Sequence, residues 1–182
     1  YLMEYSFCPK CGGSLASKQL KSFEPTRLVC IRCGFIFFLD PKVAAGTLFT
    51  IKGKIPLLQR AIEPSYGKWV FPGGFVDRGE AIQDAAIRET KEELQLDVCL
   101  LSLLNVYSYS GSPIVLVVYA AEVIGGELNA GDECLDVQLC SLQMIPWQRL
   151  AFPSTSDALR DYISRFQPQE MVERPLNKKF ST

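Results

Sequence analysis

The sequence predicts an α/β domain that follows a small N-terminal unit built around cysteines. Two Cys-x2-Cys pairs lie near the start of the chain: Cys8 with Cys11, and Cys30 with Cys33. Farther along, β-type segments flank one helical stretch at residues 80–94, and another helical stretch lies near the end. The 182 residues, 48% of them hydrophobic, suffice for one full domain and an appendage. We expect units at 1–38 and 39–166, then a polar tail at 167–182.

The cysteine pairs predict a structural zinc site. Eighteen residues separate the two pairs, and four thiolates at such spacing match a tetrahedral Zn²⁺ site of the zinc-ribbon type. Glycines follow both pairs, where tight turns bring backbone amides close to the sulfurs. A redox pair or unrelated free thiols is the alternative, which one isolated pair would leave open. With four protein ligands, this zinc would serve folding and not catalysis.

The first half of the larger unit predicts three short strands. Residues 43–51 and 55–59 are predicted to pair as a hairpin around a turn at 52–54. After a loop at 64–67, a short strand at 69–71 leads into Pro72-Gly73-Gly74.

The second half predicts longer strands and the last helix. Strands are expected at 98–109 and 114–123, joined by a Ser-Gly-Ser-Pro turn. A polar loop at 125–133 leads to an alternating strand at 135–142, and a helix at 156–166 completes the domain.

Residues 80–94 contain no Pro or Gly and are rich in helix-forming residues, so they predict a helix, with Asp77 and Gly79 helping to start it. At about 100° per residue, Glu89, Glu92 and Glu93 fall within roughly 100° of arc. Apolar residues share that side of the helix: Ile82, Ala85 and Ala86. Clustered, partly buried carboxylates need a cation, and oxygen ligands favour Mg²⁺ or Mn²⁺. The alternative is a solvated face with ion pairs between residues four apart.

The segment from Gly74 to Leu96, GFVDRGEAIQDAAIRETKEELQL, carries a motif. Five residues separate the glycine from Glu80, seven more precede Arg88-Glu89, and Glu92-Glu93 follow. This spacing resembles the Nudix hydrolase signature, G-x5-E-x7-R-E-U-x-E-E-x-G-U, where U is a bulky aliphatic residue. Thr90 stands at an aliphatic position and Gln95 replaces the late glycine. The resemblance implies an α/β/α sandwich with a mixed sheet.

The resemblance also implies roles for individual residues. Mg²⁺ would bind to Glu89, Glu92 and Glu93, helped by the carbonyl of Gly73. Arg88 would orient the glutamates, and Glu80 would support the loop before the helix. Glu133, in a late loop, resembles a further family carboxylate that serves as a metal ligand or a base; it could also be an ordinary exposed acid. Glu127 is a weaker candidate.

Substrate recognition needs an aromatic or apolar clamp and a few polar groups. Arg60, at the end of a predicted strand, could hold a phosphate. The aromatic candidates, although such a residue is more often part of the core, are Tyr66, Phe75, Tyr107, Tyr109 and Phe152.

The resemblance favours a nucleoside diphosphate linked to another moiety as substrate, chiefly ADP-ribose or FAD with release of AMP. The segment 105–113, NVYSYSGSP, lacks the Ser-Gln-Pro-Trp-Pro-Phe-Pro type motif of NADH pyrophosphatases. NADH and NAD-capped RNA are therefore the alternative substrates. Sugar nucleotides and damaged nucleotides are ranked below them. A catalytically silent nucleotide sensor is the competing class, but it would be expected to lose one of the glutamates.

Composition bears on the protein's binding partners, its location and its catalytic machinery. A net charge of −1 without a basic stretch argues against a large nucleic-acid footprint. No run reaches the roughly 20 apolar residues of a membrane span, and the first residues lack a signal-peptide pattern, so we expect a cytoplasmic protein. The absence of histidine excludes Ser-His-Asp and Cys-His machinery. Related Nudix enzymes are often homodimers, which is our expectation here.

Overall fold

The computed structural model describes residues 5–166, so the predicted tail at 167–182 lies outside the described residues. The chain divides into two compact units after Pro41, three residues beyond the boundary predicted from the sequence. None of the described helices is long and apolar enough to cross a membrane.

The first unit is a small antiparallel sheet with two cysteine turns. Its strands are β1 (Leu15–Lys18), β2 (Arg27–Cys30) and β3 (Ile36–Phe37), in the order β1-β2-β3. In each turn the glycine after the second cysteine donates to the carbonyl of the first, Gly12 to Cys8 at 2.9 Å and Gly34 to Cys30 at 3.0 Å. Both glycines have φ near +70°, a region that side chains disfavour.

Between Lys42 and Phe166, the described part of the second unit, the chain forms seven strands and two α-helices. The strands are β4 (Lys42–Leu48), β5 (Ile55–Arg60), β6 (Trp69–Val70), β7 (Gly73–Phe75), β8 (Leu96–Ser108), β9 (Ile114–Gly126) and β10 (Cys134–Cys140). The helices are α1 (Ile82–Leu94) and α2 (Pro153–Phe166). The strands form a mixed sheet in the order β7-β4-β9-β8, with β4 parallel to β9, and an antiparallel sheet in the order β10-β5-β6.

The two helices cover opposite faces of the mixed sheet. This follows from strand β9, whose successive side chains point to alternate faces and pack against different helices. Tyr119 packs in the cluster that contains Ala85 and Ala86 of α1. Its neighbours Val118 and Ala120 belong instead to the cluster that contains four residues of α2. This arrangement is the predicted α/β/α sandwich, with the difference that the strands divide between two sheets.

The predicted hairpin at residues 43–59 is wrong in its pairing, although its turn is present. The backbones of Ile51 and Lys54 exchange hydrogen bonds of 2.8 and 3.1 Å across the turn. Beyond this bridge the strands separate, because both edges of β4 are occupied by β7 and β9. Strand β5 pairs with β6 and β10 in the other sheet.

Candidate active site and zinc centre

The four predicted zinc ligands meet in the first unit. The Sγ atoms of Cys8 and Cys33 lie 3.8 Å apart, and those of Cys11 and Cys30 lie 3.5 Å apart. All four sulfurs fall within 4.8 Å of one another. A tetrahedral site with Zn–S bonds of about 2.3 Å places its sulfurs roughly 3.8 Å apart, so the geometry fits zinc.

The loop before α1 is closed by Glu80. Its carboxylate accepts a hydrogen bond from the Asp77 N–H at 2.9 Å, and its own N–H donates to the Asp77 carbonyl at 3.0 Å. The helix begins at Ile82, two residues later than predicted, and its N-cap residue Ala81 makes no side-chain cap. Asp77 therefore contributes its backbone to the loop rather than a side-chain cap to the helix.

Arg88 connects the loop to the acidic face of α1. Its Nε and Nη2 donate to the two oxygens of Glu80 at 2.8 and 2.9 Å. Its Nη1 donates to Glu89 at 2.7 Å and to Glu92 at 3.1 Å, and Nη2 also reaches the Phe75 carbonyl at 3.1 Å. The hydrogen bonds from Arg88 lower the pKa of Glu80 to about 2. These contacts match the orienting role that the motif implies for Arg88.

Glu93 is held in a mostly buried position on the inward side of α1. Its Oε2 accepts a hydrogen bond of 2.8 Å from the Gly73 N–H. Burial is the main cause that raises the pKa of Glu93 to about 8, and the charges of Glu89 and Glu133 raise it further. Burial also raises the pKa of Glu89, against the opposing effect of Arg88. The charge of Glu133 raises the pKa of both groups, and the next residue, Cys134, donates to the Glu93 carbonyl at 3.6 Å. We call Glu89, Glu92, Glu93 and Glu133 the acidic cluster.

The third glutamate of the motif, Glu92, differs from the other two in its exposure. Its side chain is 59% exposed, compared with 14% for Glu89. The carboxylate oxygens of the three glutamates are also spread more widely than the Sγ atoms of the four cysteines. In the described part of the chain, only the four cysteines bring three or more metal-ligating atoms within 4.8 Å of one another.

Two glycines allow backbone segments to approach the acidic cluster closely. A Cβ atom at Gly74 would collide with the Glu89 carboxylate. A Cβ atom at Gly131 would collide with the Glu92 carbonyl, and the Gly131 N–H donates to the Glu93 carbonyl at 2.9 Å. The contact of Gly131 is not among the features predicted from the sequence; the signal for it is a glycine two residues before the candidate acid Glu133.

Local structure explains both departures from the motif. Thr90 is fully buried and its hydroxyl forms a 2.7 Å hydrogen bond with that of Thr47 on β4, so a polar pair replaces aliphatic packing. Gln95 caps the C-terminus of α1 with φ +60°, in the left-handed region where glycine is favoured. Its side chain donates to the Glu92 carbonyl at 3.2 Å.

Three of the predicted substrate contacts lie in neighbouring segments. The Arg60 guanidinium lies 5.2 Å from the centre of the Phe152 ring, and its Nε donates to the Pro64 carbonyl at 2.9 Å. The loop that carries exposed Tyr66 is tied to the same place, because Ser65 Oγ donates to the Ala151 carbonyl at 3.2 Å. The Ala61 N–H donates to the Glu133 carbonyl at 2.9 Å, so the end of β5 contacts the loop that carries Glu133, and the positive charge of Arg60 lowers the pKa of Glu93.

The remaining aromatic candidates lie elsewhere. The half-exposed ring of Phe75 follows Gly74 and carries Lys42 Nζ 5.0 Å from its centre. Tyr107 is buried in the core beside α2, where its hydroxyl donates to Asp161 at 2.8 Å. The hydroxyl of Tyr109 donates to Asp157, also on α2, at 2.7 Å.

Comparison with known proteins agrees with this geometry. The family described as NUDIX domain matches residues 40–162, and the family described as Nudix N-terminal matches residues 6–38. A crystal structure of a Nudix hydrolase from Nitrosomonas europaea superposes with a TM-score of 0.84 at 32% identity, covering 91% of this chain and 94% of that one.

Two curated relatives differ in the activities that their names state. An ADP-ribose pyrophosphatase from Methanocaldococcus jannaschii is 36% identical over 130 residues, which is 69% of this chain and 75% of the relative. A NAD-capped RNA hydrolase from Pseudomonas aeruginosa is 26% identical over 142 residues, which is 77% of this chain and 49% of the relative. The chain thus spans about half the length of the latter. The matched domain, the acidic cluster and the four cysteines together show that the chain belongs to the Nudix hydrolase family and carries an N-terminal zinc ribbon.

Proposed function

We propose that this protein is a Mg²⁺-dependent pyrophosphatase that cleaves a nucleoside diphosphate linked to another moiety, with ADP-ribose or FAD as substrate and AMP as product. The observation that carries the proposal is the geometry of Glu89, Glu92 and Glu93 on α1, whose carboxylates are held by Arg88 and the Gly73 N–H. The ADP-ribose pyrophosphatase of M. jannaschii supports the substrate class, since it is 36% identical over most of this chain.

The donor set of the cluster fits a hard divalent cation. Burial raises the pKa of Glu89 and Glu93, so their charges are costly without a nearby cation. Glu89, Glu92 and Glu93 would hold the metal, with the Gly73 carbonyl as a further oxygen donor. When bound, Mg²⁺ would neutralise charge on the pyrophosphate and lower the pKa of the attacking water.

The protein's own residues orient these ligands and the substrate. Gly73 fixes one oxygen of Glu93, and Arg88 fixes the carboxylates of Glu89 and Glu92. Arg60, held by the Pro64 carbonyl, would pair with a phosphate oxygen of the substrate at the edge of the cluster.

Aromatic side chains beside Arg60 would hold the nucleoside. Tyr66 and Phe152 offer an exposed and a half-buried ring in adjacent segments. Phe75, which follows Gly74, is the next candidate, while buried Tyr107 would act through packing.

Glu133 would serve as a metal ligand or as the base that accepts a proton from the attacking water. It is exposed, and its backbone carbonyl accepts a 2.9 Å hydrogen bond from Ala61, which follows Arg60. A base role predicts that Glu133→Gln lowers kcat and leaves Mn²⁺ affinity unchanged. A ligand role predicts weaker Mn²⁺ binding as well. Asp132→Asn, the neighbouring exposed acid, is the matched control.

A hydrolysis assay with product masses tests the substrate proposal. The panel contains ADP-ribose, FAD, NADH, ADP-glucose and NAD-capped RNA, each with Mg²⁺, and Glu92→Gln is the variant that removes one ligand. We expect AMP from ADP-ribose or FAD with wild-type protein and at least a hundredfold lower rate with the variant. A preference for NADH or NAD-capped RNA would favour the activity named for the Pseudomonas relative. Tight binding of ADP-ribose without turnover would indicate a sensor.

The homodimer and the cytoplasmic location are further parts of the proposal. Sedimentation of the purified protein and fractionation of cells would test them.

A further inference from the structure

The loop between β9 and β10, residues 127–133, covers the C-terminal end of α1. The last four carbonyls of an α-helix have no partner within the helix, and in α1 these belong to residues 91–94. Gln95 binds the first two, through its backbone N–H at 2.9 Å and its side-chain amide at 3.2 Å. The loop supplies both remaining donors: the N–H of Gly131 binds the third carbonyl at 2.9 Å, and that of Asn129 binds the fourth at 3.1 Å. The loop therefore completes the hydrogen bonding of the helix.

The same loop packs closely on the helix at two points. Leu128 is partly buried against the hydrophobic cluster that contains Leu94, the last residue of α1. A Cβ atom at Gly131 would collide with the Glu92 carbonyl and would lie 3.1 Å from the Cα atom of Glu93. The φ of Gly131 lies outside the left-handed region, so the close approach alone requires a glycine at this position.

The turn that follows Gly131 places Glu133. The Cys134 N–H donates to the Gly131 carbonyl at 3.0 Å and closes a β-turn that has Glu133 as its third residue. Two residues of chain span at most about 7 Å, so the hydrogen bond from Gly131 to the Glu93 carbonyl keeps the backbone of Glu133 close to α1. On the other side, the Ala61 N–H donates to the Glu133 carbonyl at 2.9 Å. The backbone of Glu133 is therefore fixed between α1 and the end of β5.

We propose that Gly131 is a positioning residue for the hydrolysis reaction: by letting the loop close on α1, it sets the place of the Glu133 carboxylate relative to Glu93. The inference rests on the proposed function, in which Glu133 is a metal ligand or the base. A displacement of about 1 Å at a reacting centre can cost roughly a hundredfold in rate, so a small shift of the loop has a measurable effect. The influence of the Glu133 charge on Glu93 agrees with two carboxylates held near each other.

Gly131→Ala tests the proposal, because the added methyl group forces the loop away from α1. With a compound that the wild-type protein hydrolyses, kcat should fall at least fivefold, while KM should stay within about twofold. Ala158→Gly is the matched control. It also changes one methyl group and lowers stability, but it does so in the buried face of α2, away from the loop. Its kcat should stay within about twofold of wild type.

A double-mutant cycle separates the positioning of Glu133 from a general loss of stability. In the Glu133→Gln background, Gly131→Ala should lower kcat less than twofold, because both substitutions act through the same carboxylate. Leu128→Ala, which loosens the same loop without a collision, should show the same dependence and carries the test if Gly131→Ala does not fold. An equal loss of kcat in both backgrounds would overturn the proposal, since Gly131 would then act through α1 or through stability.

Amide hydrogen exchange gives a readout that does not need activity. The Ala61 N–H, which binds the Glu133 carbonyl, should exchange at least tenfold faster in Gly131→Ala than in Ala158→Gly. Equal exchange of Ala61 in the two variants would overturn the proposal. If the wild-type protein hydrolysed no compound, the proposed function would fail, and the exchange of Ala61 alone would decide whether Gly131 fixes the loop.

Discussion

Replacement of Glu93 by glutamine should stabilise the metal-free protein and abolish its hydrolase activity. Glu93 is mostly buried, and its pKa is raised to about 8 from the ordinary value of 4.5, first by burial and then by the charges of Glu89 and Glu133. Glutamine keeps the shape and can still accept the Gly73 hydrogen bond, but it carries no charge. The substitution therefore removes an electrostatic cost that the metal would otherwise offset.

The sign and size of the effect follow from proton linkage. Between pH 4.5 and 8 the folded metal-free state retains a proton on Glu93 that the unfolded state releases, so stability falls as pH rises. Each pH unit in this window corresponds to about 1.4 kcal/mol, which gives roughly 3 kcal/mol by pH 7. For a chain of this length, that difference corresponds to a change in Tm of roughly 6–12 °C.

Thermal denaturation followed by circular dichroism, in buffers without Mg²⁺, measures this difference. Glu93→Gln and wild type should melt together near pH 5, and the variant should melt several degrees higher near pH 7.5. Mg²⁺ should then raise the Tm of wild type but not that of Glu93→Gln. For the measurements without Mg²⁺, Glu92→Gln is the control, because that side chain is 59% exposed and its charge stays hydrated. A Glu93→Gln variant that melts at or below wild type at both pH values would show that the charge of Glu93 does not destabilise the metal-free protein.

Three other substitutions test the packing around the site. Arg88 lowers the pKa of Glu80 to about 2, so the stabilising effect of the Glu80 charge is complete above pH 4.5 and lost toward pH 2. Glu80→Gln should therefore reduce the change of the urea midpoint with pH between pH 4.5 and 2. Gln95→Gly should raise unfolding free energy by about 1 kcal/mol in urea, because glycine tolerates φ +60°, and Gln95→Ala should give no such gain. Thr90→Val should lower the free energy of unfolding by about 1–3 kcal/mol, because it leaves the Thr47 hydroxyl unpaired. The double variant Thr47→Val with Thr90→Val should recover part of that loss. If the effects of the two single substitutions simply add, the two threonines do not form the buried hydrogen bond.

The zinc ribbon and the acidic helix could be predicted because both depend on local spacing. The cysteine turns and the face of α1 shared by Ala85 and Glu89 follow from residues close in the sequence. Strand pairing could not be predicted in this way. The turn between β4 and β5 gave a hairpin signal, but the partners of β4 are the distant strand β9 and the short strand β7.

The other parts of the site depend on contacts between distant residues. The Thr47–Thr90 hydrogen bond joins residues 43 positions apart, so neither threonine could be recognised from its own surroundings. The approach of Gly131 to Glu92 likewise appears only when the late loop lies against α1. The sequence could not show whether Tyr107 is a core residue or a substrate contact. Alternation along a strand separates its two faces but does not show which face a helix covers.

Electron paramagnetic resonance of Mn²⁺ at pH 7.5 measures directly whether the carboxylates of the acidic cluster bind a divalent metal. Wild-type protein should bind Mn²⁺ at micromolar to millimolar concentrations, and Mg²⁺ should displace it. Glu89→Gln and Glu93→Gln should each weaken binding at least tenfold, whereas Asp84→Asn, an exposed acid in the first turn of the same helix, should not. Equal Mn²⁺ affinity in wild type and both glutamine variants would contradict a metal site built from these carboxylates.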